Sequence, residues 1–243
     1  MDLSQKTVRL AGMAMIVSAI LTVVTVGLMA AGTSDKDPFT REDVPEFLTD
    51  VNDNEDLLVA SGAVGIINDG VFVLAVGAAL YILFRDRNPY LATIAGIAVA
   101  ITAAISLVVD ISNVLLTAIA KDYVEGGVGD IAAGDSAALE LGRYVGIVTF
   151  AFTNLLFTPA GLAFTSIGLL ITGAPQGLIN PPKWLGWVAI VAGLAMWLSW
   201  LVVAVDAGFI FFPINLVATL VFLVGLGVWL LRNGDLQPAP MRA

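Results

Sequence analysis

The chain has 243 residues, 58% hydrophobic and 13% charged, with a formal charge of −9 and a mean hydropathy of +0.93. Soluble domains carry about 25% charged residues, so this balance belongs to a chain that spends most of its length in a bilayer. Histidine and cysteine are both absent, which excludes thiolate nucleophiles, disulfides, haem axial histidines, His-based zinc sites and Ser-His-Asp triads, and the acidic excess makes nucleic acid a poor partner.

In chain order, the first apolar segment covers 10–32, behind Lys6 and Arg9. It ends in Met29-Ala30-Ala31-Gly32, much like a secretory leader, but its apolar run is longer than a leader core and reads as a span. The loop 33–56 carries Val44, Phe47, Leu48 and Val51 at helical spacing. This predicts a short amphipathic helix, with Thr40 as its cap and Pro45 in its first turns. Asp50, Asn52, Asn54 and Asp56 hold the first, third, fifth and seventh places of a calcium loop. The pattern then breaks, because Glu55 stands where glycine is needed and Ser61 where a bidentate glutamate is needed, so no metal site is expected.

Segments 57–84 and 90–120 follow, joined by Arg85-Asp86-Arg87-Asn88-Pro89. The loop 121–141 is rich in small residues, including Gly126, Gly127, Gly129 and Gly134, and reads as mobile, with Asp135 or Ser136 capping the next helix. Segments 142–173, 184–206 and 209–231 complete the series, and Pro181-Pro182 interrupts any helix before the fifth. Each segment meets the roughly 20 apolar residues that a spanning helix needs. The expectation is an all-α polytopic membrane protein, one domain over 1–243, built as a bundle of six transmembrane helices.

Lys6, Arg9, Arg85, Arg87, Lys183, Arg232 and Arg242 fall on one side of such a bundle, against Lys36, Arg41, Lys121 and Arg143 on the other. Basic residues mark the cytoplasmic side, which puts both termini in the cytoplasm and the loops 33–56 and 121–141 outside.

Asp69 and Asp110 lie deep within apolar segments with no basic residue close in sequence. A carboxylate costs roughly 2.5 to 3.5 kcal/mol at a span centre, so such a residue faces a protein or water interior and is a lead to function. At 1.5 Å per residue, Asp69 is roughly 18 Å from Leu57, Asp110 roughly 15 Å from Ala120 and Asn154 roughly 19 Å from Leu141, which gives three helices polar groups at similar depth. Thr102, Ser106, Asp110, Asn113 and Thr117, spaced by three and four, share one helix face; Asn154, Thr158, Gly161 and Thr165 form a weaker stripe, with Pro159 among them. Asn68 is expected to point away from Asp69, as neighbours on a regular helix do. The layer has two readings: a cavity lined by Asp69, Asp110, Asn113, Asn154, Ser106 and Thr158 that takes a proton, cation or small solute, or a set of hydrogen bonds that fastens helices together.

Arg143 reads as an interfacial charge that snorkels or reaches toward Asp110 or Asp206; Asp206 itself, at a helix end, reads as interfacial, and the tryptophans as interface and packing groups. Two intramembrane aspartates also suggest an aspartyl protease, but neither Ile67-Asn68-Asp69-Gly70 nor Val108-Val109-Asp110 fits the Gly-x-Gly-Asp signature of those enzymes. With no nucleophile-base pair, no catalytic residue and no cofactor is expected.

Arg9-Leu10-Ala11-Gly12 opening the first helix, Asp69 followed by Ala79-Leu80-Tyr81-Ile82-Leu83-Phe84-Arg85, and Pro182-Lys183-Trp184-Leu185-Gly186 opening the fifth give the chain its likeness to a known family. It resembles the bacterial multi-pass membrane proteins called domain of unknown function four-three-eight-six. The resemblance implies a six-helix fold in the cytoplasmic, or bacterial inner, membrane and implies no reaction, substrate or cofactor. The acidic first loop and the Gly-rich second loop depart from it. The partners expected are the lipid bilayer and a cation or proton.

Overall fold

A computed structural model describes residues 5–32, 36, 38–126, 134, 136–173, 179–203 and 211–233. Among them the secondary structure is helical throughout: α1 (Gln5–Gly32), α2 (Val44–Asp53), α3 (Glu55–Ile67), a π-helical segment (Asn68–Val73), α4 (Leu74–Phe84), α5 (Pro89–Glu125), α6 (Ser136–Thr172), α7 (Lys183–Val203) and α8 (Phe211–Arg232). Five stretches, Lys6–Gly32, Glu55–Phe84, Pro89–Glu125, Ser136–Thr172 and Phe211–Arg232, are long and apolar enough to cross a membrane; Lys183–Ser199 is a shorter apolar helix. Large apolar side chains stay exposed along these helices, among them Leu10, Ile97, Ile111, Leu141 and Val217. A helix that is apolar on every side is suited to a core or to lipid, and exposed apolar faces this extensive point to lipid.

The chain divides into two compact units, one from Met1–Ile20, Gly70–Ala104 and Asn154–Ala243, the other from Leu21–Asp69 and Ile105–Thr153. The first has a core of Val8, Met15, Leu83, Phe84, Ile167, Ile171, Leu185, Phe222, Leu226 and Leu230, each at most 2% exposed. Phe164 meets Phe222 edge to face at 5.6 Å. Its helices approach through pairs of glycines. A Cβ on Gly12 would stand 2.7 Å from the Gly227 carbonyl oxygen, and one on Gly227 2.8 Å from that of Gly12. On α6 and α7, Gly161 faces Gly193 and Gly168 faces Gly186 in the same reciprocal way, with built Cβ to carbonyl distances of 2.6–2.9 Å. The seven-residue spacing on each helix repeats the contact two turns on in antiparallel register, the small-residue packing that lets apolar helices touch by backbone. Arg87 fastens the end of α6: its guanidinium donates to the carbonyls of Leu170 (2.8 Å) and Ile179 (2.6 Å) and to Asn180 Oδ1 (2.5 Å). Burial lowers its pKa from the ordinary guanidinium value. Asn88 caps α5 by accepting from the amides of Tyr90 (3.1 Å) and Leu91 (3.2 Å), with Pro89 in the first helical position.

In the second unit α2 is the amphipathic helix expected, burying Val44, Phe47, Leu48 and Val51 against Leu58, Leu116 and Ala120. Its cap is Asp43 rather than Thr40; the Thr40 carbonyl instead accepts the Asp43 amide at 2.9 Å, a turn that leads into the helix. Lys36 pairs with Glu46 at 3.1 Å, Lys121 with Glu55 at 3.1 Å, and Arg41 and Arg143 both with Glu140. Arg143 therefore serves Glu140, its neighbour one turn away, while Asp206 lies outside the described residues. These pairs explain why α5 and α6 reach to Glu125 and from Ser136, well into the expected loop 121–141: charge compensation lets their ends stay helical outside the apolar stretch. Gly126, with φ of 64°, ends α5 in the left-handed conformation that glycine adopts freely. Asp135 lies outside the described residues, and Ser136 is already helical. The calcium-like run is helical too, since Asp50–Asp53 end α2 and Glu55 opens α3, so its oxygens spread around helices instead of converging.

Gly186→Val is expected to lower stability by roughly 1–3 kcal/mol, because the added branches force apart backbones in contact; Gly27→Val, at a glycine with open space around its Cβ position, is expected to change it much less. Thermal unfolding of the detergent-solubilised variants reads the difference.

Candidate functional site

The polar cluster belongs to the second unit and is built from α1, α3, the start of the π-helical segment and α5. Gly62 and Gly65 let α5 lie directly against α3. A Cβ on Gly62 would come 3.0 Å from the Asp110 carbonyl oxygen and 2.6 Å from Val114 Cγ2, and one on Gly65 2.5 Å from Asp110 Cγ and 2.6 Å from its Oδ2. The Asp110 carboxyl thus occupies the place a side chain at 65 would take, on the helix face that leads one turn on to Asn68 and Asp69.

At Asn68 the helix widens into six π-helical residues, Asn68 to Val73. A π turn is rare and frequently marks a functional site. Its wider winding brings successive side chains closer together, and Asn68 Nδ2 donates to Asp69 Oδ1 at 3.0 Å. Asn68 therefore does not point away from Asp69; the regular helix assumed from the sequence is interrupted there. The same Nδ2 reaches Thr22 Oγ1 on α1 at 3.3 Å, and Ser61, nearly two turns earlier on α3, donates to the Thr25 carbonyl at 3.1 Å. The Ser106 hydroxyl hydrogen-bonds the Asp69 carboxyl, and Asp69 and Asp110 are within electrostatic reach of each other.

Asn68 is 5% exposed and Asp110 7%. The Oδ1 of Asn68, the Oδ2 of Asp110 and the Oγ1 of Thr25 are buried with no hydrogen-bond partner. Leaving such a group unmade costs roughly 1–3 kcal/mol each, which a native structure tolerates where a role requires it.

Of the six residues expected to line a cavity, the second unit brings Asp69, Asp110 and Ser106 together. Asn113 is buried one turn beyond Asp110 on the same face. Asn154 and Thr158 belong to the first unit; Asn154 is half-buried and Thr158 exposed. The Thr158 carbonyl accepts from Trp197 Nε1 at 3.1 Å, which gives Trp197 a packing role beside Gly161. Asn68 was missed. Its signal was Asn-Asp-Gly, two adjacent polar residues before a glycine in an otherwise apolar helix. Among the described residues no group of three or more acidic, histidine or cysteine side chains is placed to hold a metal ion; the oxygens gathered here come instead from two acids, an amide and hydroxyls.

Apolar helices of this length, one of them carrying the buried acid Asp110, define an α-helical integral membrane protein of the multi-pass kind. The chain belongs to the family described as Domain of unknown function (DUF4386), whose model matches residues 7–234. No curated protein and no solved structure matches it.

Asn68→Leu is expected to destabilise the protein by roughly 1–3 kcal/mol, since it strips a donor from Asp69, while Thr158→Ala, at an exposed side chain, is expected to stay within about 0.5 kcal/mol. Parallel unfolding curves in one detergent compare the two.

Proposed function

We propose that this is a six-span protein of the cytoplasmic membrane, both termini on the cytoplasmic side, that binds and moves a small cation or proton through a site centred on Asp69 and Asp110. The apolar stretch in α7 and the bias of basic residues toward one set of links support the span count and orientation. One observation carries the functional reading: Asp110 is buried against bare backbone with a carboxyl oxygen that no protein donor meets. The basic residues of its own unit, Lys36, Arg41, Lys121 and Arg143, are each paired with a glutamate. A buried acid without an internal counter-charge is suited to one supplied from outside. Bilayer lipid is its other partner, and the role is binding and passage, not catalysis.

A second reading, a scaffold, accessory subunit or sensor whose polar layer only holds helices, draws on the Asn68–Thr22 and Ser61–Thr25 bonds, which tie α3 to α1.

Reconstitution into liposomes with internal pH- and cation-sensitive dyes separates the two. Transport predicts flux in wild type that Asp69→Asn and Asp110→Asn each strongly reduce. Flux absent from wild type, or unchanged in both variants, leaves only the scaffold standing.

A further inference from the structure

The oxygens of the cluster differ in how fully they are compensated, and that difference bears on the ligand. Asp69 receives hydrogen bonds from Asn68 and Ser106, so its negative charge is spread over two donors. Asp110 has a buried oxygen without one. Asn68 adds a second kind of acceptor. Its Nδ2 faces Asp69, and a carboxylate offers only acceptors to it. The opposite amide atom must then be Oδ1, which is buried and unpartnered. An amide oxygen is not protonated near neutrality, so a proton bound at Asp110 leaves the amide to be satisfied separately.

We propose that the site between α3 and α5 binds a dehydrated monovalent alkali cation, with Asn68 Oδ1 and the Asp110 carboxylate among its ligands; this rests on the acid-pair reading above and names its ligand class. Carboxylate and amide oxygens are hard donors suited to such an ion. The carboxyl oxygen left without a donor is on Asp110, so a small cation is drawn there before Asp69, whose carboxyl already has two donors. Calcium takes six to eight oxygens, and magnesium keeps several of its waters, which apolar surroundings of Gly62, Gly65 and Val114 do not favour. Gly65 has a stated part: without a Cβ it leaves the Asp110 carboxyl its position, so Gly65→Ala displaces a ligand while adding only a methyl group.

The test is the unfolding temperature of the purified full chain in detergent, at fixed pH and ionic strength, in sodium, lithium, potassium or choline chloride. A ligand that binds only the folded state raises it progressively with concentration. The expected result is a rise of several degrees in at least one alkali salt over choline, lost in Asp110→Asn, Asn68→Leu and Gly65→Ala and kept in Thr158→Ala. An equal response in all four salts overturns the proposal. If wild type then still shows a pH dependence that Asp110→Asn lacks, the site takes a proton only and the acid-pair reading survives; if it shows none, both fall. Where a variant does not fold, equilibrium binding of radioactive sodium, competed by unlabelled lithium and potassium, is measured on wild type. Saturable binding near one ion per chain supports the site, and none at millimolar sodium, with no stabilisation of wild type by lithium or potassium over choline, overturns it.

Discussion

Asp110 presses its carboxyl against Gly65, where no side chain intervenes and no donor meets its Oδ2, and the arrangement of the second unit follows from that placement. For α5 to bring a carboxyl so close, α3 must present bare backbone at 62 and 65, and both positions are glycine. The neighbouring Asp69 is half-buried, and its charge is met by donors: the π turn delivers Asn68 while α5 delivers Ser106. The cationic side chains of the unit are held by Glu46, Glu55 and Glu140, in pairs that also fasten α2 and the ends of α5 and α6. The cations that could neutralise a buried acid are therefore engaged elsewhere, and the Asp110 carboxyl keeps an oxygen without a partner.

Glycine does different work in the two units. In the first it is reciprocal, with Gly12 against Gly227, Gly161 against Gly193 and Gly168 against Gly186, each offering its carbonyl to the space where the other has no side chain. Lipid tails are as apolar as leucine, so burial alone gives helices little reason to associate, and backbone contact of this kind supplies packing that lipid cannot match. In the second unit Gly62 and Gly65 face the backbone and side chain of Asp110, so the approach is spent on positioning a charged group. The distinction is invisible in composition, because all eight positions are the same residue.

Much of the fold was legible in the sequence because its signals are long. Runs of apolar residues announced the long helices, and Val44, Phe47, Leu48 and Val51 announced α2 with the same four residues that it buries. Helix ends were less legible: the extension of α5 and α6 depends on Lys121 meeting Glu55 and on Arg41 meeting Glu140, partners far apart in sequence. At the site, Asp69 and Asp110 stood out through their isolation in apolar sequence, and Ser106 through its helical spacing from Asp110. Asn68 was not, since its orientation depends on a π turn that periodicity arguments assume away. The weaker stripe on α6 also drew in Thr158, a residue that is exposed.

The scaffold reading and the binding reading share most of their hydrogen bonds, so those bonds cannot decide between them. The unpaired atoms bear on the choice. A layer whose only task is to hold helices together gains modestly from each contact, about 0.6 kcal/mol by mutant cycles, and loses more than that for every buried polar atom left without a partner. Replacing Asp110 by a residue without charge would make a better fastener, as would a serine or threonine bonding to its own helix in the way Thr102 bonds to the Ala98 carbonyl and Thr117 to that of Val114. The carboxyl is costly as a fastener and apt as a ligand, and the Asn68 amide oxygen, also buried without a partner, fits the same description.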